Sequence, residues 1–169
     1  MDFHAAFEKL IGHEGGFQNN PKDRGNWTGG KVGVGVNKGT KYGISAAQYP
    51  TLDIANLTLE HAKAIYLQDF WGPAGCDAVP DGIRFDLFDT AVNSGYRRAA
   101  MLVQKAVGEV ADGSIGPRTL QAIGTMIPSR LVARFNAQRM LFITQQPDDW
   151  WDEFGKGLMV RIANNLLNA

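Results

Sequence analysis

A chain of 169 residues has the length of one domain, or of two small lobes sharing a core. Charged residues make up 20% of it, which excludes a disordered composition, and its 17 basic residues balance its 17 acidic ones, which argues against a nucleic-acid partner. The single cysteine, Cys76, excludes an internal disulfide, so the fold must rest on its core, and a reducing site of synthesis fits.

The N-terminus Met1-Asp2-Phe3-His4 has no basic flank ahead of an apolar run, so no signal peptide is visible. No apolar segment reaches the ~20 residues needed to span a bilayer. Residues 2–13 place Phe3, Phe7, Leu10 and Ile11 on one helical face, and Gly15-Gly16 is the expected stop. Residues 17–44 are rich in Gly, Asn and Lys. Within them Val32, Val34 and Val36 alternate with glycines, and Tyr42 and Ile44 follow Asn37-Lys38-Gly39. That pattern predicts a short, glycine-loosened β-hairpin or ribbon.

Leu59, Ala62, Ile65, Tyr66 and Phe70 predict a helix with Thr58 as its N-cap, stopped by Trp71-Gly72-Pro73. After a loop over 74–81, helices are expected over about 82–94, broken at Ser94-Gly95, and over 96–107. Asp112-Gly113 reads as a turn and Pro117 as the first turn of a helix over 117–126. Pro128 opens a longer helix with Leu131, Phe135, Gln138 and Phe142 on one face, ended by Pro147, and residues 149–167 read as one or two helices. The fold class is therefore mainly α, with about eight helices and a small β-ribbon near residues 17–44, packed as one compact unit.

The chemistry centres on Glu14, which follows an apolar helix and precedes two glycines. Partial burial and the negative end of a helix both make a carboxyl harder to ionise. A glycosidase needs that property in the group that protonates a leaving oxygen. Such reactions commonly use a second carboxylate. Asp23 lies nine residues on, in the polar ribbon, where solvent would keep it charged, although Pro21-Lys22-Asp23-Arg24-Gly25 is also good turn chemistry. Thr28 and Thr40 are the candidate hydroxyls to hold a water or a sugar, and Tyr42 offers a flat stacking face. Asn93, at a helix end, either caps it or faces a substrate. Tyr96 is a further candidate contact. Trp71, Trp150 and Trp151 are expected to pack in the interior rather than stack on sugar.

Two basic stretches could face an anionic polymer or be ordinary surface. One spans residues 15–53; the other holds Arg97, Arg98, Lys105, Arg118, Arg130, Arg134 and Arg139. The histidines, His4, His13 and His61, form no metal-binding pair, and no Gly-x-Ser-x-Gly elbow is present. Neither a metal nor a cofactor is expected.

The string Glu14-Gly15-Gly16-Phe17, then Pro21, Asp23 and Gly25, then Thr40-Lys41-Tyr42-Gly43-Ile44, resembles the N-terminal motif of glycoside hydrolase family 108, whose members are N-acetylmuramidases, many from phages or prophages. Residues 26–39 lengthen the usual gap before the threonine, and Gly43-Ile44 favours Thr40 over Thr28 as its match. Phe85-Asp86, Val92-Asn93-Ser94-Gly95, Leu102-Val103-Gln104, Ile115-Gly116-Pro117, Arg139, Phe154-Gly155-Lys156-Gly157-Leu158 and Arg161 resemble the family's C-terminal peptidoglycan-binding region, with Leu158 where tryptophan is usual.

The resemblance implies a lysozyme-like α+β fold. It would have a catalytic lobe over 1–80, a peptidoglycan-binding lobe over 81–169 and a cleft flanked by the ribbon. It implies Glu14, Asp23 and Thr40 as the catalytic set, peptidoglycan glycan strands as the partner, and a monomer. It also implies synthesis in a host cytoplasm and action on the periplasmic wall after holin-type release. A lytic transglycosylase and a non-catalytic wall-binding module are the rival expectations.

Overall fold

A computed structural model describes residues 1–12 and 16–167, apart from the side chains of residues 149 and 153. Among them the chain is mainly helical, with one two-stranded antiparallel sheet. It divides into two compact units, residues 4–67 and residues 1–3 with 68–169.

The smaller unit takes in α1, Phe3–Ile11, from His4 onward, and the helix buries Ala6 and Phe7. The helix stops two residues earlier than the apolar spacing suggests. Gly12 takes a φ of 59° and closes it with a bond from its N–H to the Glu8 carbonyl, so Gly12, not Gly15-Gly16, is the terminator. Helix α2, Leu59–Tyr66, begins as expected, with the Thr58 hydroxyl accepting the His61 N–H at 3.2 Å. Phe7 and Tyr66 meet edge to face at 5.3 Å, and Ile44, Ile54, Leu57 and Ala62 complete this core.

The ribbon is smaller than its sequence suggests. Strands β1, Thr40–Lys41, and β2, Ile44–Ser45, pair through a turn at Tyr42-Gly43. Both turn residues hold positive φ, 51° and 76°, as a right-twisted two-residue hairpin requires. The valines are not strand residues. Val32, Val34 and Val36 are 56%, 48% and 60% exposed in an irregular loop. Backbone bonds from Gly29 to Val34 and from Thr28 to Val36 close that loop, and glycines at positive φ between the valines break the period-two geometry.

After α2 the chain makes a π-turn, Leu67–Trp71, and the larger unit resumes at Gln68. Helices α3, Asp81–Ser94, α4, Tyr96–Val107, α5, Pro117–Thr125, and α6, Pro128–Thr144, follow near their expected bounds. A short α7, Asp148–Trp150, passes through a second π-turn into α8, Lys156–Leu167. Trp71 packs edge to face on Phe3 and Phe88 at 5.5 and 5.3 Å, a core role rather than a sugar platform. Helix α3 is the central one, with every residue from 85 to 91 buried. Cys76 is fully buried, and desolvation, helped by Asp77, pushes its thiol up to about 12.

Candidate functional site

Glu14, the expected acid, lies outside the described residues, as does His13. The other two members of the expected set lie in the smaller unit, and a chain of side-chain hydrogen bonds joins them. Asp23 is half-buried and caps a single 3-10 turn, Arg24–Asn26: its Oδ1 accepts the Gly25 N–H at 2.8 Å. Its Oδ2 accepts Gln18 Nε2–H at 3.0 Å. The Gln18 and Asn26 amides pair face to face, Gln18 Nε2 donating to Asn26 Oδ1 at 3.1 Å and Asn26 Nδ2 to Gln18 Oε1 at 2.8 Å. The Thr40 hydroxyl donates to Asn26 Oδ1 at 2.7 Å. Asp23 thus serves as a turn residue and as one end of a network whose other end is Thr40.

The backbone makes that network rigid. Gln18 and Thr40 exchange both main-chain hydrogen bonds, at 2.9 and 2.8 Å. The Asn26 carbonyl accepts from Lys38 and Gly39. Gly39 is buried at φ 82°, and a side chain there would meet the Gln18 carbonyl at 2.5 Å and the Phe17 ring at 2.6 Å. The ribbon can therefore lie flat against residues 17–18 only because position 39 has no Cβ. Thr28, the alternative hydroxyl, accepts the Val36 N–H at 2.9 Å and holds the valine loop shut. Tyr42 stands at the hairpin tip, its carbonyl accepting from the Tyr66 hydroxyl at 3.1 Å, with Lys41 Nζ 5.5 Å from its ring.

Asn93 and Tyr96 belong to the larger unit. The Asn93 amide donates to the Asp89 carbonyl at 2.8 Å and to its carboxylate at 3.0 Å, so it is tied to its own helix. Tyr96 opens α4 and is 40% exposed. Behind Asn93 lies a network that sequence reading missed. Buried Arg139 bonds Asp86 at 2.8 Å and also bonds Asp89; Arg161 reaches Asp89 at 2.7 Å; Asn136 and Asn165 complete Asp86 at 2.8 and 2.7 Å. Arg139 is therefore interior and not part of a basic outer face. Arg118 pairs with Glu109 at 3.2 Å, and Arg98 lies over the Phe142 ring at 5.0 Å. In the other stretch, Lys38 and Lys41 donate to the Pro50 and Ala55 carbonyls.

Asp112-Gly113 is the structural turn expected. Gln104 bonds Asp112, Ser114 and Thr119, and its bond to Asp112 leads the causes that hold that carboxyl below the ordinary aspartate range. Among the described residues no three His, Cys, Asp or Glu side chains gather as a metal site.

Gln18 and Asn26 also went unnoticed in the sequence. Each is an amide in a segment without period, Gln18 in the run Gln18-Asn19-Asn20, and only the pairing of residue 18 with residue 40 reveals them.

Comparison with known proteins adds three findings. The family model described as Glycosyl hydrolase 108 matches residues 7–95. Eleven solved chains match the structure. One of them, SagA of Brucella abortus, is 28% identical with a TM-score of 0.79, covering 98% of this chain and 92% of its own. A search of curated proteins gives no match. Of the residues that carry the C-terminal resemblance, those from 85 to 95 fall inside the family match and those from Leu102 on lie beyond its end.

Proposed function

The chain belongs to the glycosyl hydrolase 108 family, and on that premise we propose that it is an N-acetylmuramidase cutting the β-1,4 bond between N-acetylmuramic acid and N-acetylglucosamine. Membership makes it a glycoside hydrolase, and family and structural likeness together support peptidoglycan as its substrate. The observation that carries the finer reading is that the matched residues, 7–95, contain Glu14, Asp23 and Thr40 together.

Glu14 gives its proton to the glycosidic oxygen as the bond to the anomeric carbon breaks. The oxygen of a water molecule joins that carbon. Asp23 either takes the water's proton or steadies the cationic transition state, and the anomer formed first distinguishes the two. Thr40, not Thr28, holds the water or sugar: the Thr28 oxygen is engaged in closing its own loop, whereas Thr40 is linked to Asp23 through Asn26 and Gln18. Tyr42 is the glycan contact we assign to the smaller unit, and Asn93 and Tyr96 those we assign to the larger unit taken by itself. Residues 81–169 add wall affinity. No helix of the described residues is long and apolar enough to cross a membrane. We place the protein as a monomer made in a host cytoplasm that reaches the wall through a holin-type lesion.

Purified sacculi test the reading. Wild type should clear them and release reducing muramic acid ends, and Glu14→Gln should lose about 100-fold or more in rate. Equal clearing by both would remove Glu14 from its role. Anhydro-muramic ends in the mass spectrum would make the enzyme a transglycosylase, and binding without clearing would make it a wall-binding module.

A further inference from the structure

We propose that Gln18 and Asn26 are positioning residues that fix the direction of every hydrogen bond between Asp23 and Thr40, so that the Thr40 oxygen meets the reacting water or sugar only as an acceptor. The inference rests on the reading of Asp23 and Thr40 given above.

Side-chain amides can be turned end for end, so their directions need independent anchors. Here the backbone supplies them. The Asn20 N–H can only donate, and it points at Gln18 Oε1 at 3.1 Å. The Asn20 carbonyl can only accept, and it receives Asn26 Nδ2 at 3.0 Å. With Oε1 fixed, Gln18 Nε2 faces both the Asp23 carboxylate and Asn26 Oδ1. With Nδ2 fixed, Asn26 Oδ1 faces Thr40 and can only accept. The Thr40 proton is therefore committed inward, toward Asn26, and the remaining capacity of its oxygen is for accepting.

From Thr40 a fixed path reaches the carboxylate: the hydroxyl donates to Asn26 Oδ1, Asn26 Nδ2 to Gln18 Oε1 and Gln18 Nε2 to Asp23, while Gln18 Nε2 also donates back to Asn26 Oδ1. Turning Gln18 end for end would set its NH2 against the Asn20 N–H, and turning Asn26 would set its oxygen against the Asn20 carbonyl, so neither direction reverses. An acceptor of fixed direction suits a water that must present a lone pair to carbon, because it takes up one of that water's hydrogens. Asn26 is fully buried, as a part that must not reorient should be, whereas Gln18 is exposed and can be changed without opening the core.

The test measures kcat and KM for release of reducing ends from solubilised glycan strands. Gln18→Met removes the bonds at nearly constant shape, and Gln18→Glu sets an acceptor where a donor is needed. Both should lower kcat about 10- to 100-fold with KM within about twofold, at unchanged melting temperature. Thr40→Val should lose as much, and Gln18→Met with Thr40→Val should lose no more than Thr40→Val alone, because the two act through one chain. Folded Gln18 variants with wild-type kcat, or losses that multiply in the double variant, would overturn the inference while leaving the enzyme's assignment intact. If Asp23→Asn and Thr40→Val both retain wild-type kcat, the site reading itself fails, and the relay with it.

Discussion

Tyr42 is the single non-glycine residue with a positive φ among the described residues. A bulky side chain in the left-handed region costs on the order of 1–3 kcal/mol, and asparagine or glycine would hold the same turn more cheaply. Keeping a tyrosine there makes sense if its ring meets substrate. Tyr42→Asn should therefore raise the melting temperature by a few degrees and raise KM for glycan strands. A variant that gains stability with no change in KM would show the ring to be idle. At this scale the sequence was half legible. Asp23, Thr40 and Tyr42 stand out because acids, hydroxyls and aromatics have their chemistry written in their type. Gln18 and Asn26 do not, because an amide's role depends on what faces it. Their informative partners lie 5 to 14 residues away, gathered by a backbone bridge between residues 18 and 40, with no periodicity to announce it.

Among elements, legibility followed the strength of local signals. Thr58, Gly95, Pro117 and Pro128 mark their helix ends in the sequence, and the helices begin or end there. The ribbon resisted because its strands are two residues long and its loop is shaped by Thr28 and left-handed glycines, not by alternation. Helix α3 misleads differently. Asp86 and Asp89 look like a solvated face, yet both are buried, because their partners come from α6 and α8, 50 to 79 residues on. A buried carboxylate deprived of its cation keeps the desolvation cost without the compensation. Arg139→Met should lower the unfolding free energy by about 3–5 kcal/mol in urea titration. A loss under about 1 kcal/mol would show that water or Arg161 takes over the pairing.

The whole chain carries no net formal charge, so its pH response comes from particular carboxyls rather than from bulk repulsion. Asp112 is held below the ordinary aspartate range by Gln104 and the Ser114 N–H, Asp81 by the N-terminal ammonium with Arg84, and Asp53 by Asn56. A depressed folded pKa adds stability at neutral pH that is lost as pH falls through the depressed value. The melting temperature should hold near neutrality and fall once pH drops below the ordinary aspartate range. Asp112→Asn, which still accepts from Gln104, should make that fall shallower; an unchanged slope in calorimetry at neutral and acid pH would count against it. Likeness to a solved structure over 98% of the chain, against a family match ending at residue 95, shows that the later helices share a known shape that the family model does not cover. The aspartates of α3 add a constraint in time. During synthesis the ribosome delivers these two acids long before Arg139, Arg161 and Asn165 emerge to receive them. A chain that has not yet passed residue 165 thus has an unfinished centre, with Asp86 and Asp89 short of the partners that complete them.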